Sequence, residues 1–492
     1  MKKCLKTGRK IFLPSLLLCC LLLSMATMAF AVETVQDQDI PNVPPLIDLD
    51  IVDPLTPYTS TRLYEDVQLL ADRNPGIVSL SSIGQSALGK DIPLITLGTG
   101  KRPVLWIGAL HAREVVTSAY LMLTTEMYAR AYAENSAFGD TPAEKVQWLL
   151  DEFTVYIVPM ANPDGVDIVT DGGSANVNVD NAKTWKNNAN GVNLNRNFPF
   201  DWDANRTDIG YNYAYYKGPS AGSEPETQAL IALCESVAFE HMVSCHVQGK
   251  IQYWRDNHNG VVPGDEALAR KIFQIMGYTM MPSTSKGNDG WSGGFENWFR
   301  YRFNRPGICL EFARHNTTDY ETMAKFYTSD MVDWPKSQNL IFGVLDGLSN
   351  LTAKPTASTV YVNGEPVAFD AYYINGNNYF KLRDIAYILT GTEKQFEVEW
   401  DAETNDILLT DGLPYTPVGG EMTGKGPDEQ KPAPTKSVIL LNGQRVNLKA
   451  CLIRGNNYFK LRDIGKLFDF EVSWYGDDNA IRIETGAAYT DD

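Results

Sequence analysis

Two histidines and two glutamates of this sequence have the types and neighbours that metal-assisted hydrolysis requires. His111 and Glu114 lie three residues apart, directly after a short apolar stretch, and His246 and Glu311 each end another such stretch. Neutral imidazole and carboxylate are the groups that bind catalytic zinc, with three ligands from the protein and water in the fourth position. The spacing predicts one metal site, built from side chains that the fold must bring together.

The elements around these residues alternate between strand-like and helix-like patterns. Short apolar runs at residues 103–109, 153–159, 242–245 and 307–310 predict buried strands, and a capping-box sequence at 223–226 predicts the start of a helix. This alternation is typical of an α/β core with a largely parallel or mixed sheet. Open α/β sheets build their sites at the carboxyl ends of neighbouring strands, where the four residues are expected.

Length and charge limit the classes of function. A chain of 492 residues, with 44% apolar and 21% charged residues, is globular and long enough for two or three domains. Its formal net charge of −17 predicts repulsion from nucleic acids and from anionic lipid. We therefore expect no nucleic-acid partner.

The N-terminus has the three parts of a secretory signal. A basic stretch ends at Lys10, an apolar run covers residues 11–23, and small residues at Ala29 and Ala31 fit a signal-peptidase site. An uncleaved membrane anchor is the alternative, but the apolar run is short for a membrane span. We predict a signal peptide at residues 1–31 and a secreted protein, with an extended lead-in at residues 32–57 whose role as a pro-segment stays open.

Four cysteines follow the signal, which is too few for a disulfide framework in a chain of this length. Each lies in an apolar run and is predicted to be a buried thiol: Cys234, Cys245, Cys309 and Cys451. A bridge between the first two is the open alternative.

The last third of the chain contains a repeat. The run at 377–385 recurs at 456–464, an offset of 79 residues. Each copy predicts a strand, an Asn-Gly turn, a second strand and a short helix. The sequence thus predicts two small α+β modules at residues 358–413 and 437–486, joined by a Gly- and Pro-rich linker at 414–436.

From residue 58 to residue 349 the chain resembles the zinc carboxypeptidase family, the carboxypeptidase A/B-like metallopeptidases. The motifs that carry the resemblance occur in the family's order: His111 with Glu114, Asn-Pro-Asp-Gly at 162–165, the segment 191–199, Ser-Glu-Pro-Glu-Thr at 223–227, His246 with Gly249, and finally Glu311. The resemblance implies a carboxypeptidase-like mixed sheet flanked by helices.

The resemblance also implies a role for each of the two histidines and two glutamates that the spacing assigns to a metal site. It implies one zinc ion per chain, held by His111, Glu114 and His246. Zinc lowers the pKa of its bound water toward ~7 and polarises the scissile carbonyl. In the implied mechanism, Glu311 takes a proton from that water and passes it to the leaving nitrogen.

A substrate carboxylate is expected to bind at the matched segment 191–199. The resemblance implies that Asn195 and Arg196 hold it, and the guanidinium of arginine offers two parallel hydrogen bonds. Together these roles predict a secreted zinc metallocarboxypeptidase that hydrolyses a peptide bond next to a free carboxylate.

Three departures from the family pattern bear on that prediction. The family commonly has Asp where this chain has Asn193, as an acceptor for a zinc-bound imidazole, so metal affinity is expected to fall by roughly 10–100-fold. The residue after Trp185, often Arg, is Lys186, which either stabilises the oxyanion or is a solvated loop lysine. The segment 286–291 lacks the family's mobile tyrosine, which weakens the expectation of a terminal-carboxylate clamp.

Substrate preference depends on Glu296, which matches the residue that lines the leaving-residue pocket. A carboxylate there favours a basic side chain or the amino group of diaminopimelate, whereas the alternative is a surface glutamate. The stretch 185–199 also resembles the bacterial γ-D-glutamyl-diaminopimelate peptidase branch, so cell-wall peptide is a second predicted substrate. An inactive cell-surface binding protein is the alternative from another class.

The repeats resemble the small module called the copper amine oxidase N-terminal-like, or stalk, domain. Neither copy contains a histidine, so no copper site is expected. Two aromatic pairs, Tyr379 with Phe380 and Tyr458 with Phe459, form either an aromatic binding face or, as we favour, part of the core. We expect the repeats to mediate attachment to a cell surface or self-association.

Overall fold

The computed structural model describes residues 51–53, 58–171, 182–204, 214–257, 259–283, 293–313, 334–349, 352–374, 376–424, 426, 428–435, 437–446, 448 and 450–491. The predicted signal peptide, most of the predicted lead-in and the segment 286–291 lie outside these residues. All the described residues belong to one compact unit, Gln36–Asp492. Within them, no helix is long and apolar enough to cross a membrane.

The larger part of the chain is built on one eight-stranded sheet. Its strands, in chain order, are β1 (Val78–Gln85), β2 (Asp91–Leu97), β3 (Arg102–Ile107), β4 (Phe153–Val158), β5 (Met242–Val247), β6 (Ile251–Asp256), β7 (Thr279–Ser283) and β8 (Gly307–Phe312). Across the sheet the order is β1-β2-β4-β3-β5-β8-β6-β7. The central strands β4, β3, β5 and β8 are parallel, and β1 with β2, β2 with β4, and β6 with β8 are antiparallel. The mixed sheet confirms the predicted fold class.

Helices cover both faces of this sheet. In chain order they are α1 (Ser60–Arg73), α2 (Val116–Ala133), α3 (Ala143–Glu152), α4 (Pro163–Asp171), α5 (Pro225–Ser236), α6 (Asp265–Met276), α7 (Phe295–Phe303), α8 (Trp334–Ser337) and α9 (Leu340–Leu348). Alternate residues of β3 face opposite cores: Val104 and Trp106 lie in the core with α2, whereas Leu105 and Ile107 lie in the core with α5 and α7. Strands buried on both faces are continuously apolar, which is why their runs were visible in the sequence.

The amino end of the parallel strands contains a closed cluster of charges. Arg102 donates from Nε and Nη2 to the two carboxylate oxygens of Glu240 at 2.7 and 2.6 Å, and it also pairs with the buried Glu152. Its Nη2 donates to the carbonyl of Leu348 at 3.1 Å, and the hydroxyl of Ser349 donates to Glu152. We call Arg102, Glu152 and Glu240 the amino-end cluster.

The repeat region adds fourteen short strands and two helices. They are β9 (Lys354–Pro355), β10 (Thr359–Val362), β11 (Glu365–Val367), β12 (Ala371–Ile374), β13 (Asn377–Lys381), α10 (Leu382–Leu389), β14 (Phe396–Trp400), β15 (Ile407–Asp411), β16 (Ala433–Pro434), β17 (Ile439–Leu441), β18 (Gln444–Arg445), β19 (Ala450–Ile453), β20 (Asn456–Lys460), α11 (Leu461–Phe468), β21 (Glu471–Tyr475) and β22 (Ala480–Glu484). Each copy contains the predicted strand, Asn-Gly turn, second strand and helix, but it also has two strands before the helix and two after it that were not predicted.

The two copies do not form separate sheets. The opening strand of the first copy, β10, pairs in parallel with the last strand of the second, β22, and the closing strand β15 of the first pairs in parallel with β17 of the second. Equivalent strands β13 and β20 pair antiparallel, with Phe380 opposite Phe459. Because these two phenylalanines are equivalent residues of the repeat, the pairing relates the copies by an approximate two-fold axis. We call this interlocked body the repeat pair.

Side-chain burial decides between two of the alternatives left open by the sequence. Phe380, Tyr458 and Phe459 are fully buried, so they are core residues as favoured, and Tyr379 is partly buried. The four cysteines are buried free thiols, without a bridge between Cys234 and Cys245.

Candidate metal centre and active site

A tight turn carries the first two candidate ligands away from the end of β3. Ala109 adopts a left-handed backbone conformation (φ 44°), and its N–H donates to the hydroxyl of Thr117 at 2.7 Å. The same hydroxyl donates to the carbonyl of Glu114 at 2.7 Å, and the N–H of Glu114 donates to the carbonyl of His111 at 3.1 Å. These bonds fix the turn before α2 begins and direct both ligand side chains toward β5.

The three residues predicted as metal ligands converge on one point. His111 Nδ1 lies 2.8 Å from one oxygen of Glu114, and His246 Nδ1 lies 2.8 Å from the other. The two Nδ1 atoms are 3.2 Å apart, and one ligand atom from each residue lies within 4.8 Å of the others. Among the described residues this is the one group of three or more potential ligands close enough to share a metal ion.

The other nitrogen of each imidazole has a partner of its own. His111 Nε2 lies 3.2 Å from Asn193 Oδ1, and His246 Nε2 lies 2.9 Å from the hydroxyl of Ser244. Such partners fix the ring orientation and the tautomer of a metal ligand. Asn193 was predicted for this position, whereas Ser244 was not. The strand pattern contains the missing signal, because Ser244 and His246 lie two residues apart on β5 and therefore on the same face.

The protonation states of these groups suit a divalent cation. Burial lowers the pKa of His111 to about 3, so its imidazole is neutral. Burial opposes ionisation of Glu114, but the two neighbouring imidazoles prevail and hold its pKa well below its usual range. Burial also disfavours charge on His246, yet Glu114 raises the pKa of His246 above its ordinary value. Metal binding there is therefore expected to release a proton.

Glu311 lies beside His246 on the neighbouring strand β8, and the two residues are paired in register. One of its carboxylate oxygens is buried and has no hydrogen-bond partner within the described parts of the chain. Burial, together with the negative charge of Glu114, raises the pKa of Glu311 to about 8. A carboxyl group with a pKa near neutrality both accepts and donates protons at physiological pH.

Asn195 and Arg196 lie in a short 3₁₀ turn, Leu194–Arg196, in which the N–H of Asn195 donates to Asn193 Oδ1 at 2.9 Å. Asn195 Oδ1 accepts a 2.8 Å bond from the N–H of Phe295, which ties the turn to the start of α7. Arg196 is buried, and burial lowers its pKa. The backbone of Gly293 approaches Arg196 so closely that a Cβ at Gly293 would lie 2.2 Å from the Arg196 carbonyl oxygen, so this position excludes other residues.

Glu296, in the first turn of α7, is fully buried rather than on the surface. Both of its carboxylate oxygens are buried, and neither has a hydrogen-bond partner among the residues that the structure describes. Its charge acts on Arg196, where it opposes the lowering of the Arg196 pKa by burial. The surface-glutamate alternative is therefore wrong, while the role of Glu296 in substrate preference stays a prediction.

Lys186 and an unpredicted tyrosine lie at the rim of the site. Lys186 is partly buried, and burial lowers its pKa while Glu114 and Glu311 act in the opposite direction. Its Nζ lies 6.0 Å from the ring centroid of Tyr215, and the guanidinium carbon of Arg196 lies 5.9 Å from the same centroid. These contacts favour a position of Lys186 within the site over the alternative that it is a solvated loop lysine.

Asn193 also explains how Tyr215 reaches this position. Its side-chain NH₂ donates to the carbonyl of Ala214 at 2.7 Å, and its backbone N–H donates to the carbonyl of Tyr216 at 2.8 Å. An aspartate could not donate the first of these bonds. No local sequence signal links residues 214–216 to Asn193, which is why Tyr215 was not predicted.

Comparison with known proteins gives one family. A family profile described as zinc carboxypeptidase matches residues 63–327. A γ-D-glutamyl-L-diamino acid endopeptidase from Lysinibacillus sphaericus is 27% identical over 269 residues, which covers 52% of this chain and 65% of that protein. Mouse carboxypeptidase A2 is 30% identical over 185 residues, covering 36% of this chain and 41% of its own length. The chain thus spans less than two thirds of each of these relatives.

Solved structures give a weaker likeness. Thrombin-activatable fibrinolysis inhibitor aligns with a TM-score of 0.48 and 16% identity over 61% of this chain and 78% of that one. A murein-tripeptide amidase from Escherichia coli O157 aligns with a TM-score of 0.34 and 21% identity over 54% of this chain and 92% of that one. Both scores lie below 0.5, so the assignment depends on the profile match and on the sheet described above.

Proposed function

The chain belongs to the zinc carboxypeptidase family, and from this premise we propose that it is a metallocarboxypeptidase that hydrolyses the peptide bond next to a residue with a free carboxylate. It is a zinc metallopeptidase as a member of that family. We also propose which residues perform each step and which residue leaves, on the basis of the site's geometry. Secretion is a further proposal, which depends on the predicted signal at residues 1–31.

We assign zinc to His111, Glu114 and His246. The support is the donor set: two imidazole nitrogens and a carboxylate converge, and the second nitrogen of each ring is already held by Asn193 or Ser244. When bound, the ion polarises the scissile carbonyl and acidifies the attacking water. The chain's own side chains do the rest.

Glu311 moves the proton. It accepts a proton from the water that attacks the carbonyl carbon, and it then delivers that proton to the leaving nitrogen. Its raised pKa and its position beside His246 support this role. A cation among its neighbours lowers that pKa again and favours the ionised form that acts as a base.

Two cationic side chains handle the negative charges of the reaction. We propose that Lys186, on which the charges of Glu114 and Glu311 act, stabilises the oxyanion that forms on the carbonyl oxygen. We propose that Arg196, with Asn195, binds the free carboxylate of the leaving residue, which would offset part of the cost of burying its guanidinium.

One observation carries the proposed substrate class: Glu296 is a fully buried carboxylate without a hydrogen-bond partner in the described part of the chain. A buried charge is strongly unfavourable unless it is paired. A leaving residue with a terminal amino group would pair with Glu296 while its carboxylate binds Arg196. We therefore propose a basic or diamino residue, such as lysine, at this position.

A second candidate function uses the same pair of contacts. Diaminopimelate has both an amino group and a carboxylate on its side chain, and the Lysinibacillus relative is named for cleavage between γ-D-glutamate and a diamino acid. Cleavage of cell-wall stem peptides at that bond would place the diamino acid against Glu296 and Arg196. The predicted signal at residues 1–31 suits either function, because export would bring the enzyme to extracellular peptide or to the cell wall.

A substrate panel tests the proposal. Purified zinc-loaded protein is incubated with peptides ending in Lys, peptides ending in Phe, and γ-D-glutamyl-diaminopimelate peptides, with Glu311→Gln protein as the control. Faster release of Lys than of Phe supports the carboxypeptidase proposal, and cleavage of only the γ-D-glutamyl substrates supports the second candidate. Preferential release of Phe contradicts the role of Glu296, and no cleavage by protein with a full zinc ion favours the inactive binding protein.

A further inference from the structure

The two copies of the repeat enclose a cleft whose role is not explained by the proposed peptidase function. Its volume is about 510 Å³, within the range of small-molecule sites. Side chains of both copies line it, among them Arg383, Glu399 and Trp400 from the first copy and Ser437, Asn456 and Asn457 from the second. We call it the Trp400 cleft. It exists only because the copies interlock.

Trp400 is exposed although it lies on the face of a strand that is otherwise buried. Phe396, Val398 and Trp400 alternate along β14, and the first two are 0% and 6% exposed, whereas Trp400 is 54% exposed. Its indole N–H donates to Asn405 Oδ1 at 3.3 Å, which restrains the ring at the cleft wall. The indole is therefore restrained by a hydrogen bond, but it is not packed in the hydrophobic core.

The second copy has the same feature. Trp400 pairs with Ile407 across its hairpin, and Trp474 pairs with Ile481, so the two tryptophans are equivalent residues. Trp474 is 58% exposed. A large apolar side chain that has no core role in either copy, yet is present in both, indicates a surface function.

The lining of the Trp400 cleft as a whole has been retained between the copies. All its residues except Glu399, Ala433 and Leu452 are identical at the equivalent position of the other copy. A hydrogen bond is retained too, because the partly buried Thr435 donates to Asn457 Oδ1 at 2.6 Å and Thr356 donates to Asn378 Oδ1 at 2.7 Å. Elsewhere the copies have diverged, as in β10 and β17, where Tyr-Val has become Leu-Leu.

The charges of the cleft favour an uncharged ligand. The ammonium group of Lys381 is already paired with Asp384 at 3.0 Å and donates to the carbonyl of Gly420 at 2.7 Å. The remaining cation, Arg383, is matched in the lining by the opposite charge of Glu399. The chain as a whole is strongly acidic, with a net charge of −17, so an anionic polymer would be repelled.

From these observations we propose that the repeat pair binds a neutral polysaccharide, with one sugar ring against Trp400 and another against Trp474. One face of a pyranose ring presents C–H groups, which pack on an indole plane, and its rim presents hydroxyl groups for amides such as Asn456 and Asn457. Two equivalent sites suit a polymer, because the second contact forms at a high effective concentration once the first is made. This site is separate from the proposed peptidase function.

The test is binding of the full-length protein to insoluble polysaccharides. Chitin, cellulose and an insoluble β-1,3-glucan, which are all uncharged, are titrated with the wild-type protein and with Trp400→Ala, Trp474→Ala and the double variant. We expect retention on at least one of the three, weakened about tenfold by each single substitution and much more by the double one. Tyr387→Ala, which removes another exposed aromatic side chain outside the cleft, is the control and should bind like the wild type.

Two results overturn the proposal. One is absence of retention on all three polysaccharides, and the other is equal retention of the wild type and the double variant. Light scattering tests a rival occupant: a concentration-dependent dimer that the double variant loses, without any retention on polysaccharide, would mean that the cleft binds a second copy of this chain. Because both tryptophans are exposed, each variant should unfold within a few degrees of the wild type, and peptide-free polymers leave the peptidase reaction out of the measurement.

Discussion

The two ends of the catalytic sheet both bury charged side chains, but they treat them in opposite ways. At the amino end, the carboxylates of Glu152 and Glu240 bind Arg102, whose guanidinium also donates a hydrogen bond to a backbone carbonyl. At the carboxyl end, Glu296 has no hydrogen-bond partner for either oxygen, and Glu311 has none for one of its oxygens, within the residues that the structure describes.

This difference separates structural charges from functional ones. Buried polar groups in folded proteins are almost always paired, so unpaired ones need an explanation. The amino-end cluster satisfies itself and joins β3, β4 and the end of α9 into one unit. We expect the carboxylates at the carboxyl end to interact with groups that arrive with the metal and the substrate, as the ionisable groups of functional sites do.

The largest effect is expected from Glu311→Gln. The amide cannot carry the proton, so kcat should fall by about 10³–10⁴-fold, while zinc content measured by atomic absorption stays at one ion per chain. Glu240→Gln, at the opposite end of the sheet, should leave kcat unchanged. Full activity of the Glu311 variant would remove the contrast between the two ends.

Glu296→Gln should change substrate preference next most strongly. Removing the negative charge from the pocket should lower kcat/KM for Lys-terminated peptides by about 100-fold, since a buried ion pair with substrate is lost, and should leave Phe-terminated peptides nearly unaffected. The control is Glu226→Gln, which alters a buried glutamate that already has Asn188 and a backbone N–H as partners. An unchanged ratio of the two substrates in the Glu296 variant would show that the pocket does not read charge.

Arg102→Met should act on stability instead of chemistry. The substitution leaves the buried Glu152 without its cation, and because Arg102 itself is partly exposed we expect a loss of about 2 kcal/mol in the free energy of unfolding. Urea denaturation measures it, and activity per folded molecule should be retained. Arg302→Met, which breaks an exposed pair with Glu235, should cost almost nothing. Equal effects of the two variants would mean that the amino-end cluster is no more than a surface network.

Asn193→Asp is expected to have the smallest effect, and it should raise zinc affinity while it lowers stability. A charged acceptor should strengthen the hold on the N–H of His111 and raise zinc affinity by up to about tenfold. The same carboxylate would face the carbonyl oxygen of Ala214 and should lower stability by about 1 kcal/mol. Chelator competition and thermal unfolding measure the two effects, with Asn197→Asp as the control, since Asn197 also donates to backbone carbonyls but has no contact with His111. Unchanged zinc affinity would show that the hydrogen bond between residue 193 and His111 does not affect metal binding.

The sequence predicted the site better than its surroundings. His111, Glu114, His246 and Glu311 follow or end apolar runs, and parallel strands must bring such positions together at one edge. The contacts of Tyr215 depend on bonds that Asn193 makes to a segment some twenty residues further along the chain, and no pattern encodes them.

The repeat pair could not be predicted in the same way. Each copy has the strands and the turn that its sequence indicates, but the opening and closing strands of both copies have apolar residues at equivalent positions. A pattern of alternating residues specifies which face of a strand is buried, and it does not specify which of two equivalent strands will be its neighbour. The interlocking of β10 with β22 and of β15 with β17 is therefore visible only in the structure.

That interlocking has a consequence for how the protein is made. During synthesis, residues 359–362 leave the ribosome long before their parallel partner at 480–484, so one edge of β10 stays unpaired until those residues have been synthesised. A message interrupted anywhere in the second copy would leave the first unfinished as well. We therefore expect products truncated within the second copy to expose strand edges of the first copy, where proteases can cleave.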